Sequence, residues 1–351
     1  MAKATIKQVA AAAEVSTATV SRVLNNSDYV SDEIKERVMA AVNRLNYRPS
    51  AIARSLKQDR TYMIGVIVPD ISNPYFMGIS RGIEDIVGKE GFQLIFCSSD
   101  ENPEKERRLL KLLQEKRVDA VVLATSGGND PAIKQIADSN MPIVLVDRKL
   151  DSPETGSMLD LVAEDNTEGA SRLTRKLLEE GHTAIGVVNG PTRSSTGRER
   201  LEGVMNAMKA FGLNEGPMVY NGDFSTEDGI RAVQQFLNAE RRPTAIISLN
   251  NRMSLGVLLE IVRSRLKIPA DMAVASFGEV EAGPLLKESG IYYMEQHPYD
   301  MGIKSGEILL SRIREEVRQD PPAYEIYSNE VKQLNYRTCS RSKNREEDGD
   351  A

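Results

Sequence analysis

Two hydrophobic rhythms divide this chain. Over the first 45 or so positions, apolar residues recur every three to four residues, the period of helices with one buried face. Ile6, Val9, Ala10 and Ala13 fall on one face of a first helix over about 6–13, and Thr5 is placed to cap it. "EVS" breaks the pattern, and Ser16 can cap a second helix that runs to about Leu24. A third begins after Ser31, with Asp32 and Glu33 in its first turn and Ile34, Val38, Ala41, Val42 and Leu45 on its apolar face. Beyond residue 61 the rhythm changes. Short apolar runs ("MIGVIVP", "QLIFCS", "DAVVLAT", "PIVLVD", "AIGVVNG", "TAIISLN", "MAVASFG") alternate with amphipathic segments of 10–18 residues. That order predicts parallel sheets with helices on both faces. Seven or more such units exceed one compact sheet. The spacing therefore predicts two similar subdomains, with a breakpoint near "LDLVAEDN" and pieces after Tyr292 crossing back. Ligands of such folds bind beyond the carboxyl ends of the strands.

The second helix is the most informative. Val20, Val23 and Leu24 cluster on one side, and Thr17, Ala18, Ser21 and Arg22 occupy the other. A helix, a short turn and a helix with a polar outer face is the arrangement that enters a DNA major groove. Arg22 has the donors to pair with a guanine, and Thr17 and Ala18 are small enough to meet thymine methyl groups. A plain three-helix bundle with a solvated face is the alternative that the pattern leaves open.

Charge sharpens the division. Residues 1–60 hold ten Lys/Arg and six Asp/Glu, against 35 and 45 in the remainder, so a basic end sits on an acidic body. The two cysteines, Cys97 and Cys339, point to neither a disulfide framework nor a metal site and fit a reducing compartment. The first residues lack the apolar run of a signal peptide, and no stretch has the length of a membrane span. A cytoplasmic protein without cofactor, metal or membrane partner is expected. His182 and His297 have no acid or cysteine at triad or metal spacing, and "TSGGND" lacks the lysine of a phosphate loop. No set of residues argues for an enzyme. An exported solute receptor would explain the second part of the chain but not the first.

The stretch "VSTATVSRVLN" and the tail "YRPSAIARSLK" resemble the DNA-binding headpiece of the lactose-repressor/purine-repressor (LacI/GalR) family of bacterial transcriptional regulators. Glu14 departs from the glycine or asparagine usual in the turn. The resemblance implies a DNA-contacting set of Thr5, Ser16, Thr17, Ala18, Thr19, Ser21, Arg22, Asn25, Ser31 and Tyr47 in the headpiece. It implies a further set, Ser50, Ala53, Arg54, Leu56 and Lys57, in a hinge helix. Nine residues are too few for a stable isolated helix, so the hinge is expected to fold on DNA. Leu56 would wedge between base pairs in the minor groove, with Arg54 and Lys57 near phosphates.

The rest, through "IGVIVPDISNPYF", "MPIVLVDR", "EDNTEGA", "GRERLEGVMNAM", "IPADMAVASF" and "EQHPYDMG", is similar to the family's effector-binding core, itself like periplasmic sugar-binding proteins. The implied organisation is a headpiece at 1–47 and a hinge at 48–60. An N-subdomain follows from 61–163 plus 294–323, then a C-subdomain from 164–293 plus 324–340, and a disordered tail at 341–351. The implied effector site comprises Asn73, Tyr75, Phe76, Asp147, Arg148, Asp165, Thr196, Arg200, Phe224, Asn250, Gly278 and Glu279. The implied activity is regulation by a homodimer on a near-palindromic DNA operator, controlled by a small-molecule effector, with a purine-type corepressor mechanism as the alternative. Where the family reads "GFDD" this chain reads "SFGE". With an acidic acceptor lost at Gly278 and Arg148 and Arg200 kept, the expected effector carries negative charge, such as a sugar acid or sugar phosphate. If Glu279 reaches back into the site, a neutral sugar is expected instead.

Overall fold

The computed structural model describes residues 4–25, 30–47, 60–285, 290–315 and 320–334. The chain forms two compact units, Met1–Tyr62 and Met63–Ala351.

The first unit holds α1 (Ile6–Ala12), α2 (Thr17–Asn25) and α3 (Asp32–Arg44). Thr5 and Gln8 close a capping box on α1. The Ser16 hydroxyl accepts from the Thr19 amide at 3.0 Å and caps α2. Ser31 precedes α3 without a side-chain cap bond, and Asp32 and Glu33 favour its positive end instead. Val9, Ala10, Ala13, Val20, Val38, Ala41 and Val42 form the core. Glu14, in the turn between α1 and α2, takes the left-handed conformation at φ 53°. Arg37 steadies that turn by donating to the Ala13 carbonyl at 2.6 Å and reaching Glu14 at 3.4 Å.

The second unit has two six-stranded sheets. The strands and helices of its first half are β1 (Met63–Val68), α4 (Pro74–Val87), β2 (Gln93–Ser98), α5 (Pro103–Glu115), β3 (Ala120–Leu123), α6 (Asp130–Asp138), β4 (Ile143–Val146), α7 (Pro153–Gly156) and β5 (Asp160–Glu164). Then come α8 (Asn166–Glu179), β6 (Ile185–Asn189), α9 (Ser195–Ala210), β7 (Met218–Asn221), α10 (Thr226–Leu237), β8 (Ala245–Ser248), α11 (Asn251–Arg263) and β9 (Ala273–Phe277). The chain ends with β10 (Tyr292–Met294), α12 (Pro298–Arg314), β11 (Tyr324–Tyr327) and β12 (Val331–Gln333). The first sheet has the order β11-β5-β4-β3-β1-β2, and the second β12-β10-β9-β8-β6-β7. Every pairing is parallel except β10 with β12.

Alternation along the strands builds a core on each face of each sheet. In the first, Ile64, Val66 and Val68 meet α4 and α12, while Ile67, Val121 and Leu123 meet α5 and α6. Close packing of α4 on α12 requires glycine. A Cβ at Gly82 or Gly302 would collide with backbone of the facing helix.

The chain passes between the two lobes three times, at 164–166, 294–298 and 327–331. This corrects the expected boundaries. Residues 324–327, expected in the second subdomain, form an edge strand of the first sheet, and β10 keeps Met294 in the second. The reason is tertiary. The Asp160 carboxylate accepts from the Ala323 amide at 2.7 Å and from Arg312 at 2.9 and 3.1 Å, which seats β11 beside β5. Among the described residues, no helix is long and apolar enough to cross a membrane and no His/Cys/Asp/Glu group could hold a metal ion.

Candidate nucleic-acid face and ligand cleft

In the headpiece, burial of Val20 turns the opposite side of α2 outward. Ser16, Thr17, Ala18 and Arg22 are exposed, as are Thr5 and Ser31, while Thr19, Ser21 and Tyr47 are half-buried. Thr19 shares its hydroxyl with Ser16 at 2.9 Å, and Thr5 is engaged in its capping box, so both help to shape the helix ends. Asn25 ends α2. The hinge positions Ser50, Ala53, Arg54, Leu56 and Lys57 lie outside the described residues.

In the second unit, the carboxyl ends of both sheets face a shared cleft. An outer chamber of about 930 Å³ is lined by, among others, Asn73, Phe76, Glu101, Arg148, Arg193, Phe224 and Asn250. Beneath it lies an inner pocket of about 20 Å³, enclosed by Tyr75, Asp147, Arg148, Thr196, Arg200, Phe224, Asn251, Phe277 and Gln296 with their neighbours. That is room for about one water molecule, so the lobes are closed on it. Nine of the twelve sequence-nominated effector residues thus converge: Asn73, Tyr75, Phe76, Asp147, Arg148, Thr196, Arg200, Phe224 and Asn250.

Each is placed by its element. Asn73 caps α4 through the Tyr75 amide at 3.1 Å, and Asn250 caps α11 through the amides of Arg252 and Met253. Asp147 follows β4 in the left-handed region, φ 65°, and accepts from the Tyr75 hydroxyl at 3.0 Å. Burial, then the charges of Asp147 and Glu164, push the Tyr75 phenol well above its ordinary range, so it acts as a donor. Thr196 stands in the first turn of α9. Phe224 packs under Arg148, whose guanidinium lies 5.3 Å from the ring centre.

The remaining three do not take the expected roles. Asp165 is outside the pocket lining and caps α8 through the Glu168 amide at 3.0 Å. Glu279 is exposed and does not reach back. Gly278 has φ 97°, and a Cβ there would strike Oε1 of Gln296, so Gln296 fills the space that an acidic side chain would need.

The arginines are not available as the sequence implied. Arg148 donates to both oxygens of Glu101, at 2.6 and 2.8 Å, and to the Thr125 carbonyl at 3.1 Å. Burial would lower its pKa, but Glu101 and then Asp147 more than offset this, so the guanidinium is held charged. Arg200 donates to Asn166 at 2.8 Å and to the Leu249 carbonyl at 2.9 Å, with its guanidinium 3.9 Å from the Phe277 ring centre. Neither guanidinium is left uncommitted to attract an anionic ligand. The sequence reading missed Glu101, Phe277, Gln296 and Glu164. Glu101 is 47 residues from Arg148, and no local pattern marks that pairing.

The lobes touch across the cleft through polar side chains. Asn73 and Asn251 exchange two amide bonds, at 2.9 and 3.1 Å. Lys149 reaches Glu199 at 2.6 Å, Arg198 reaches Asp151 at 2.5 Å, and Arg193 donates to the Glu101 carbonyl at 3.2 Å.

Comparison with known proteins agrees with both halves. Residues 5–50 match the family of bacterial regulatory proteins, lacI family, and residues 61–326 match periplasmic binding proteins and sugar binding domain of LacI family. The chain is 34% identical over 314 residues to the HTH-type transcriptional repressor PurR of Aliivibrio salmonicida (strain LFI1238), covering 89% of this chain and 93% of that one. It is 33% identical over 320 residues to the ribose operon repressor of Escherichia coli (strain K12), covering 90% and 95%. A solved transcriptional regulator CelR–cellobiose complex superimposes with a TM-score of 0.70 at 27% identity, over 94% of this chain and 98% of that one. With a helix-turn-helix unit ahead of two parallel-sheet lobes that close on a ligand-sized cleft, the chain belongs to the LacI family of bacterial regulatory proteins, as a DNA-binding transcriptional repressor with a ligand-binding core.

Proposed function

We propose that the chain represses genes of carbohydrate use by binding a near-palindromic operator as a homodimer, and that a small, neutral, hydroxyl-bearing ligand in the cleft controls this binding. The observation that carries the ligand class is the pairing of both inner arginines. Arg148 is matched by Glu101, and Arg200 by neutral acceptors with Asp147 at 3.9 Å. A pocket of balanced charge, with Asp, Asn and Thr beside aromatic faces, suits hydroxyl groups and an apolar ring face. The ribose operon repressor among its relatives agrees with a sugar.

The dimer is supported by apolar surface at two places. Phe96 is 44% exposed on the edge strand β2, and Leu259 and Val262 are exposed on α11. Two copies would place two α2 helices on two half-sites, with the polar face of α2 in the major groove.

A second reading is favoured by the PurR relatives and by Phe76 and Phe224, whose rings suit a planar base. A thermal-shift panel of neutral pentoses and hexoses, sugar acids, sugar phosphates and purines separates the two. A ligand at about a hundred times its Kd adds roughly 2.7 kcal/mol to the folded state. Stabilisation by neutral sugars alone is expected. Stabilisation by purines alone would establish the second reading, and by anionic sugars alone would overturn the charge argument. Operator binding with and without the hit then gives the sign of control, since coupling is reciprocal.

A further inference from the structure

Glu164 ends β5 at the first crossover between the lobes, and none of its surface is exposed. One carboxylate oxygen accepts from the Gln296 side chain of the second crossover at 2.6 Å. The other oxygen, Oε1, has no hydrogen-bond partner. The third crossover carries a comparable anomaly, because Asn329 is 3% exposed and neither atom of its amide is bonded. Buried polar groups left without partners are rare and costly. Glu164 and Asn329 both sit where the two lobes join.

The groups that face Glu164 come from both lobes. Arg200 approaches from α9 of the second lobe, and Asp147 and Tyr75 from β4 and α4 of the first. Arg200 favours the ionised carboxyl and Asp147 opposes it. Asp165 beside it is turned away to cap α8, and the His297 ring packs 6.4 Å from Tyr327. Among the described residues no cation bonds Glu164 directly, and in this closed form no water-exposed surface is left on it. Elsewhere the lobes meet through rim contacts such as Lys149–Glu199, of the kind that individually contribute little. Three narrow crossovers with a polar interface are the arrangement of a hinge.

We propose that Glu164 is a proton-binding site that couples closure of the core to pH, taking up a proton as the lobes close and releasing it as they open. Burial, the largest influence, raises its pKa from the ordinary 4.5 to about 7 in this closed form, against the lowering effects of Gln296, Arg200 and the His297 amide. Opening would hydrate the carboxyl and return it towards 4.5. The closed form therefore binds the proton more tightly. Closure is favoured below about pH 7, weakens by up to about tenfold per pH unit as pH rises between those two values, and is constant above them. The proposal does not depend on which effector fills the cleft.

The test is small-angle X-ray scattering of the full-length protein from about pH 4.5 to about pH 8.5, beside Glu164→Gln and Gln296→Leu. The wild type should expand as pH rises, and Glu164→Gln, which carries no charge, should keep one radius of gyration throughout. Gln296→Leu removes an N–H donor to the carboxylate and should move the transition to higher pH. Should Glu164→Gln not fold, the direction of the Gln296→Leu displacement decides alone. A wild-type radius independent of pH, an identical pH course in wild type and Glu164→Gln, or a Gln296→Leu transition that stays put or moves down would overturn the proposal.

Discussion

Glu101→Ala removes the partner of a buried cation, and its cost follows from the geometry. Arg148 is 3% exposed, and two of its bonds, at 2.6 and 2.8 Å, go to Glu101. Breaking a buried pair on one side typically costs about 3–5 kcal/mol because the remaining charge is left uncompensated. Two features place this site below that range. Asp147 remains 3.5 Å from Nε, and the Glu101 side chain is 13% exposed, so water can enter where it stood. A loss of about 2–3 kcal/mol results. For a unit of this size that lowers the melting temperature by roughly 4–6 °C. The assay is a thermal melt of wild type, Glu101→Ala, Arg148→Leu and the double variant. The double variant should recover most of the loss, because no buried charge is then unpaired. A change in Glu101→Ala under about 0.5 kcal/mol, or additive losses in the double variant, would refute the claim that Glu101 neutralises Arg148. Glu101→Gln gives the functional counterpart. It frees the guanidinium, and binding of anionic sugars should improve relative to neutral ones in the same thermal-shift panel.

Three further outcomes are expected. Glu14→Gly relieves a left-handed residue at φ 53° and gives up only an exposed contact with Arg37; amide exchange in α1–α3 should slow in line with a gain of about 1 kcal/mol. Gly278→Asp, which restores the family's acidic residue, forces a side chain into φ 97° and against Gln296; it should destabilise the core by about 1–3 kcal/mol in a thermal melt. Arg22→Ala on the exposed face of α2 should relax preference at one base pair by about 1–3 kcal/mol, measured by competition between operator variants, with binding to random DNA little changed.

Much of this protein was legible in one dimension, because periodicity reports burial. The three helices of the headpiece follow from the spacing of Ile6, Val9 and Val38 and their neighbours, and the alternation of strands and helices follows from runs such as "MIGVIVP". Loops at the carboxyl ends of strands are equally readable, which is why nine effector-site candidates met in one pocket. Tertiary structure alone decided what those side chains do. Whether Arg148 is a ligand's partner or a structural ion depends on Glu101, a loop residue on the far side of α5, β3, α6 and β4. Whether position 278 can be acidic depends on Gln296, delivered by a different crossover. The sheet that receives "YEIY" was set by Asp160 and Arg312, not by the strand itself. Period and composition determine which face of an element is buried. Charge balance, hydrogen-bond pairing and strand partnership depend on distances between residues far apart in the chain, and only the folded molecule sets those.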